Sequence, residues 1–252
     1  WVCSGHTIET RRRAIGLRRE PANGDIVAQR GCIGQRDSVA AGGRLAVDQR
    51  PCILRQMPGR REKMLRDLIL RNRSYRRFDQ TVAVDRPTLE GLVDLARLSA
   101  TARNQQPLRF LVMADPPQAA EVFATLGWAM ALKDWPGPAD GERPTGYIVI
   151  LGDTRIKRDF GCDHGIAAQS ILLGAVERGL GGCMFGTVNR AQLRRAFGIP
   201  EHYDILLVVA VGKPVEQIVL EEVDAQADTT YWRDAQRVHH VPKRKLSDLI
   251  LN

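Results

Sequence analysis

Residues 147–179 read YIVILGDTRIKRDFGCDHGIAAQSILLGAVERG. The unbroken apolar run Tyr147 to Leu151 suits a strand buried on both faces. It is followed by a long helix expected from about Asp163 to Arg178, with Gly179 where a left-handed cap is usual. Working outward, Leu108 to Ala114 and Ile205 to Val211 are further apolar runs of strand length, the latter ending in Gly212-Lys213-Pro214. Helices fall between them. Asp85 can cap one that has Pro87 in its first turn and Leu89, Leu92, Val93 and Ala96 on one face, reaching about Ser99. Pro116-Pro117 opens another carrying Val122, Phe123 and Leu126, and Asn189 caps a short one from Ala191 to Phe197. Leu65, Leu68 and Ile69 fall at helical spacing before a basic turn, while Trp135 through Pro144 reads as a loop. Strands alternating with helices predict an α/β or α+β sheet layered with helices. The polar tail after Pro214, with Tyr231, Trp232, His239 and His240, is expected to need a surface, which a partner subunit would supply.

Four short stretches have chemistry in reach. Arg73-Ser74-Tyr75-Arg76 puts two guanidiniums and a hydroxyl into one turn, a donor set suited to phosphate; a solvated charged face is the alternative. Asn104-Gln105-Gln106-Pro107 offers carboxamides able to read a ring of alternating C=O and N–H groups, or is a plain polar loop. Gly179-Leu180-Gly181-Gly182-Cys183-Met184-Phe185-Gly186 follows a helix, which is the wrong side for a dinucleotide fingerprint. Its glycines let backbone approach a flat ligand, or they cap a helix before a core strand. Pro242-Lys243-Arg244-Lys245 is a second basic cluster or a solvated tail. Cys183 and His164 lack the third group a triad needs, so a buried structural thiol is the expectation.

Taken in order, the Arg-Ser-x-Arg-x-Phe turn, the Asn-x-Gln-Pro loop before a strand, the Gly-Leu-Gly segment and the Val-Gly-Lys-Pro strand end resemble the nitroreductase family over most of residues 64–252. The resemblance implies an α+β fold, a three-layer α/β/α sandwich around a mixed, mainly antiparallel sheet, working as a homodimer with FMN at the interface. It implicates Arg73, Ser74 and Arg76 in holding the FMN phosphate and ribityl chain, and Asn104 and Gln106 in a loop shared across the dimer. Phe185, Gly186 and Thr187 would run along the isoalloxazine, with Lys243 or Arg244 on the phosphate. Ala100 and Thr101 stand where the family has Pro and Ser, and Asn72 where many relatives carry another Arg. The implied activity passes electrons from NAD(P)H through flavin to a nitroaromatic, quinone or similar small acceptor by a ping-pong mechanism. No catalytic side chain and no metal are required, because the cofactor supplies the reactive atom. A lid is expected between Gly127 and Arg143.

Other functions consistent with the same residues are a flavoenzyme of this fold with another task, such as dehalogenation, ring oxidation or flavin fragmentation, and a non-enzymatic flavin- or nucleic-acid-binding protein. The formal net charge of +8 is the support for nucleic acid, but nearly all of that excess lies in residues 1–63, among Arg11-Arg12-Arg13, Arg18-Arg19 and Arg60-Arg61. Nucleic acid is therefore not expected as a partner of residues 64–252. No apolar run reaches the ~18 to 20 residues of a membrane span, and the five cysteines show neither CxxC nor Cys/His metal spacing. A cytoplasmic, membrane-free protein is the expectation. Residues 1–63 lack any sustained apolar period and are expected to be an Arg-rich extension, disordered or non-native, since the chain opens on Trp1 and Met64 stands directly before the first patterned helix. A chain beginning at Met64 should fold and take up flavin as the full chain does; an unfolded or flavin-free product overturns that boundary.

Overall fold

The structure, a computed structural model, describes residues 65–129, 131, 132 and 134–251. The expectation for residues 1–63 lies outside the described residues. In chain order the first elements are helix α1 (Leu65–Arg71), strand β1 (Phe78–Asp79), helix α2 (Arg86–Leu98), strand β2 (Leu108–Met113), helix α3 (Pro116–Phe123) and strand β3 (Gly146–Asp153). They are followed by helix α4 (Asp163–Glu177), strand β4 (Gly181–Phe185), helix α5 (Arg190–Phe197), strand β5 (Tyr203–Pro214), and β6 (Ile218–Val223), β7 (Trp232–Arg233) and β8 (His239–Arg244).

The apolar run at Tyr147 is the middle of β3, and every residue of β3 is buried. It pairs antiparallel with β2 on one side and with β5 on the other. The far edge of β5 pairs antiparallel with β4 and then, at Phe78↔Pro214 and Asp79↔Lys213, with β1. Strand alternation splits the side chains into two cores. Tyr147, Val149, Leu151, Val208 and Ala210 pack with Val122 of α3 and Leu193 of α5. Ile148, Ile150, Val209 and Val211 pack with Leu89 and Leu92 of α2 and with Ile171, Leu172 and Ala175 of α4. Each large side chain so enclosed contributes roughly 1.5–3 kcal/mol. Helices on both faces of one sheet are the predicted three layers.

Local chemistry sets the helix ends. The Asp85 carboxylate accepts the Thr88 amide at 2.9 Å, and the Asn189 carboxamide oxygen accepts the Gln192 amide at 3.1 Å, each satisfying an amide that the first turn leaves unpaired. Gly179, at φ +74°, ends α4 as expected. Helix α3 stops at Phe123, so Leu126 lies beyond it and instead bridges to Val188.

The glycine-rich segment takes one of the two forms the sequence left open, and the tail departs from its reading. The glycine-rich segment is strand β4, the core-strand alternative. The tail after Pro214 makes its own three-stranded sheet, in which β8 pairs parallel with β6 and antiparallel with β7. The mixed character of the fold therefore resides in the second sheet, while the named strands of the main sheet pair only antiparallel. Among the described residues no helix is long and apolar enough to cross a membrane.

Gly182 joins these parts. Its carbonyl accepts the Tyr75 amide at 3.0 Å, and a Cβ there would collide with the Ala210 carbonyl of β5 and crowd Leu172 of α4. Gly182→Ala should destabilise the chain by about 2–3 kcal/mol, because backbone cannot yield as a flexible side chain does. Thermal melts would show a fall of several degrees, about 2–4 °C per kcal/mol at this size; an unchanged melting point refutes the close approach.

Candidate functional site

The basic turn is built by where its backbone is tied. Helix α1 ends at Arg71, after which Ser74 bridges to Gly182 of β4 and the Phe78 amide donates to Glu142 O at 2.9 Å. Successive side chains then point apart. Tyr75 donates its hydroxyl back to Arg71 O at 2.9 Å, and Arg77 turns to Glu142, Nε at 2.9 Å. Arg73, Ser74 and Arg76 remain on the other side, lining a cleft of about 320 Å³.

The opposite wall comes from β8. Alternate residues His239, Val241 and Lys243 line the cleft, as a pleated strand requires. His240 and Arg244 face the other way. Arg244 donates to Ala225 O, while the His240 ring sits between Glu221 at 2.5 Å and Asp234 at 3.1 Å and stacks on Trp232 at 4.0 Å. Helix α4 supplies Gln169 and Leu172, β4 supplies Met184, and Tyr231 closes a side with the Arg76 guanidinium 4.7 Å above its ring.

The cleft gathers three cations, Arg73, Arg76 and Lys243, with the Ser74 hydroxyl and the Asn72 carboxamide, and no carboxylate among the described residues lines it. Arg73 Nε is buried without a partner, and burial lowers the pKa of this guanidinium despite the nearby Tyr75. A buried donor without an acceptor costs about 1–3 kcal/mol until something accepts from it. Such a donor set fits a phosphate.

The other sequence-nominated residues lie elsewhere in the chain. Gln106 lines a separate apolar groove of about 350 Å³ with Thr101, Val93, Ala96, Leu108 and Phe110. The loop before it holds Arg103 at φ 53°, Asn104 at φ 53° and Gln106 at φ 48°, a left-handed region that side chains disfavour. Asp163, at the start of α4, anchors this loop by accepting the Ala102 amide at 2.9 Å and, on its other oxygen, Lys157 Nζ at 2.9 Å. The Asn104 and Gln106 carboxamides bond each other at 3.2 Å.

Phe185 is buried against Trp128, with ring centroids 4.6 Å apart, so its side chain does not reach the cleft. Gly186 and Thr187 behind it are exposed, and Thr187 O accepts the Gly127 amide at 2.9 Å. The segment expected as a lid has Trp128 in the core and Trp135 edge-on to it. Cys183 is buried, which raises its thiol pKa and leaves it a poor nucleophile. Sequence reasoning did not nominate His239, Tyr231 or Gln169. The alternation His239, Val241, Lys243 was available, but Pro242 argues against a strand.

A family model described as "Nitroreductase family" matches residues 69–213. A "Putative NADH dehydrogenase/NAD(P)H nitroreductase" of Archaeoglobus fulgidus is 26% identical over 165 residues, covering 62% of this chain and 89% of that protein. Among solved structures, a putative nitroreductase from Exiguobacterium sibiricum in complex with FMN is 17% identical, covering 61% of this chain and 90% of its own, with TM-score 0.51. A gut-bacterial enone reductase of fatty-acid saturation metabolism is 18% identical with the same coverage and TM-score 0.52. These likenesses show the fold.

The two adjacent histidines of β8 respond oppositely to their surroundings. Burial, reinforced by Arg76 and Arg233, outweighs the nearby Glu216 and pushes His239 down from 6.5 to about 4. Its neutral form stabilises the fold fully above pH 6.5, and that stabilisation is lost as pH falls through about 4. His240 is raised by its bonds to Asp234 and Glu221, so its stabilisation is complete below 6.5 and lost as pH rises through its folded value. Denaturant unfolding from pH 4 to 8 should give an acid arm that His239→Asn flattens and an alkaline arm that His240→Asn flattens. An acid arm of the same slope in His239→Asn refutes the assignment.

Proposed function

The chain belongs to the nitroreductase family, and we propose that it is an FMN-dependent oxidoreductase passing electrons from NAD(P)H to a nitroaromatic, quinone or similar small acceptor. The observation that carries this is the convergence of Arg73, Ser74, Arg76 and Lys243 on one cleft that no carboxylate lines among the described residues. These residues are separated by up to 170 positions in sequence, and together they form a receptor for a phosphate monoester.

In this reading Arg76 gives a forked pair of donors to the phosphate, Arg73 Nε and the Ser74 hydroxyl fill the remaining oxygens, and Lys243 adds a point charge. Lys243 is favoured over Arg244, whose guanidinium is turned to Ala225 O. Gly186 and Thr187 offer exposed backbone beyond β4 along which a flat ring can lie. Bound FMN supplies hydride acceptance from NAD(P)H and return of electrons to the acceptor in alternating half-reactions. The chain's own part is to bind, orient and exclude water. The buried Cys183, whose thiol pKa is raised, is compatible with that division of labour.

Asn104 and Gln106 do not line the Arg76 cleft of their own chain, and we assign them to the flavin ring held by a second copy. A homodimer with FMN at the interface supports both placements at once, since the loop is already fixed by Asp163 and stands beside an apolar groove.

The 252-residue chain mixed with FMN should retain it through gel filtration as a dimer, bleach anaerobically with NADH or NADPH, and recover its colour with a quinone or nitroaromatic. Arg76→Ala should weaken FMN about ten- to hundredfold, the range of a lost charge-assisted bond. Protein that binds no flavin, or flavin that neither nicotinamide reduces, overturns the proposal.

A further inference from the structure

Glu216 does not line the cleft, yet its carboxylate lies directly behind it with a side chain that is 0% exposed. It follows β5 at the place where the basic turn and the second sheet meet: the Val215 amide donates to Arg77 O at 3.2 Å and the His239 amide to Gln217 O at 2.8 Å. A buried carboxylate is costly unless it is both neutralised and hydrogen-bonded. Here the two requirements are met by different partners. Oε2 accepts the main-chain amide of Arg76 at 2.9 Å. Oε1 accepts from Nη2 of Arg233, whose guanidinium is itself largely buried and lies 4.3 Å over the Trp135 ring. The same oxygen stands 3.8 Å from His239 Nδ1.

What Glu216 does not do is as informative. An acidic group this close to a cationic site would ordinarily pair with its arginine and weaken its hold on an anion. Among the described residues the Arg76 guanidinium makes no such pair: its Nη1 donates to Ser74 O at 3.2 Å. Arg233 takes the charge, and the Arg76 side chain stays on the cleft side over Tyr231, without an acidic partner among the described residues.

We propose that Glu216 is a positioning residue: by holding the Arg76 amide while giving its charge to Arg233, it aims the basic turn and keeps the Arg76 guanidinium available to a phosphate monoester. This rests on the reading of the cleft as a phosphate site. It inverts the simple Coulombic expectation, in which removing a nearby negative charge tightens an anion. Glutamine in place of Glu216 must turn an N–H₂ toward one of the two donors it now serves, so the turn or Arg233 loses its partner.

The test measures dissociation constants of the full chain for FMN, for riboflavin, which lacks the phosphate, and for inorganic phosphate. Glu216→Gln should weaken FMN and phosphate by about tenfold or more, the scale of one charge-assisted bond, with riboflavin changed less than about twofold. Arg233→Gln, which leaves the carboxylate unneutralised beside Arg76, should show the same split and serves if Glu216→Gln does not fold. FMN binding that is unchanged or tighter, or an equal loss for FMN and riboflavin, overturns the proposal. Amide hydrogen exchange without ligand separates this from the function itself. If wild-type protein binds neither flavin nor phosphate, the functional reading falls. Faster exchange at residues 73–77 in Glu216→Gln, with β3 unchanged, then still supports the positioning role, and unchanged exchange overturns it.

Discussion

Strands β3 and β5 have to be covered on both faces, and most of the molecule follows from that requirement. Their side chains alternate between two apolar cores with almost no polar residue on either side, so neither face can meet water without losing the main source of stability. Helices α2 and α4 close one face and α3 and α5 the other. Strand β5 is long enough to accept β4 and then β1 along the edge that β3 leaves open. The basic turn enters through β1, and its position is thereby inherited from the core.

The core was readable from sequence because it is written in periodicity. The apolar runs at Tyr147 and Ile205, the Asp85 and Asn189 caps and the Gly179 stop each reflect a local cause that survives folding, and each was found within a few residues of its place. The second sheet was not readable. Its strands are short, half-polar and interrupted by Pro242, and they are specified by particular side-chain partners: Glu221 and Asp234 on His240, Glu216 on Arg233 and on the Arg76 amide. Composition cannot express a pairing of that kind. The cleft divides along the same line, with Arg73, Ser74 and Arg76 legible as a donor cluster, and His239 and Tyr231 brought in by long-range pairing.

Electrostatics in the second sheet are segregated by strand alternation. On β8, the residues toward the cleft are a neutral imidazole, a valine and a lysine, while those on the reverse are a histidine held between two carboxylates and an arginine bound to backbone. The chain's acidic partners thus lie behind the cations and leave the cleft face positive, which suits an anion arriving from solvent. The adjacent His239 and His240 show how little sequence distance matters to this sorting. One is stripped of water and its pKa falls; its neighbour lies between two carboxylates and its pKa rises.

The loop at Arg103, Asn104 and Gln106 carries a further consequence. Holding three side-chain-bearing residues in left-handed backbone costs on the order of 1–3 kcal/mol each, and the anchoring of Ala102 by Asp163 imposes that cost during folding. The backbone beneath the two carboxamides is therefore set by the fold itself, so that ordering it adds no entropic cost to any later contact.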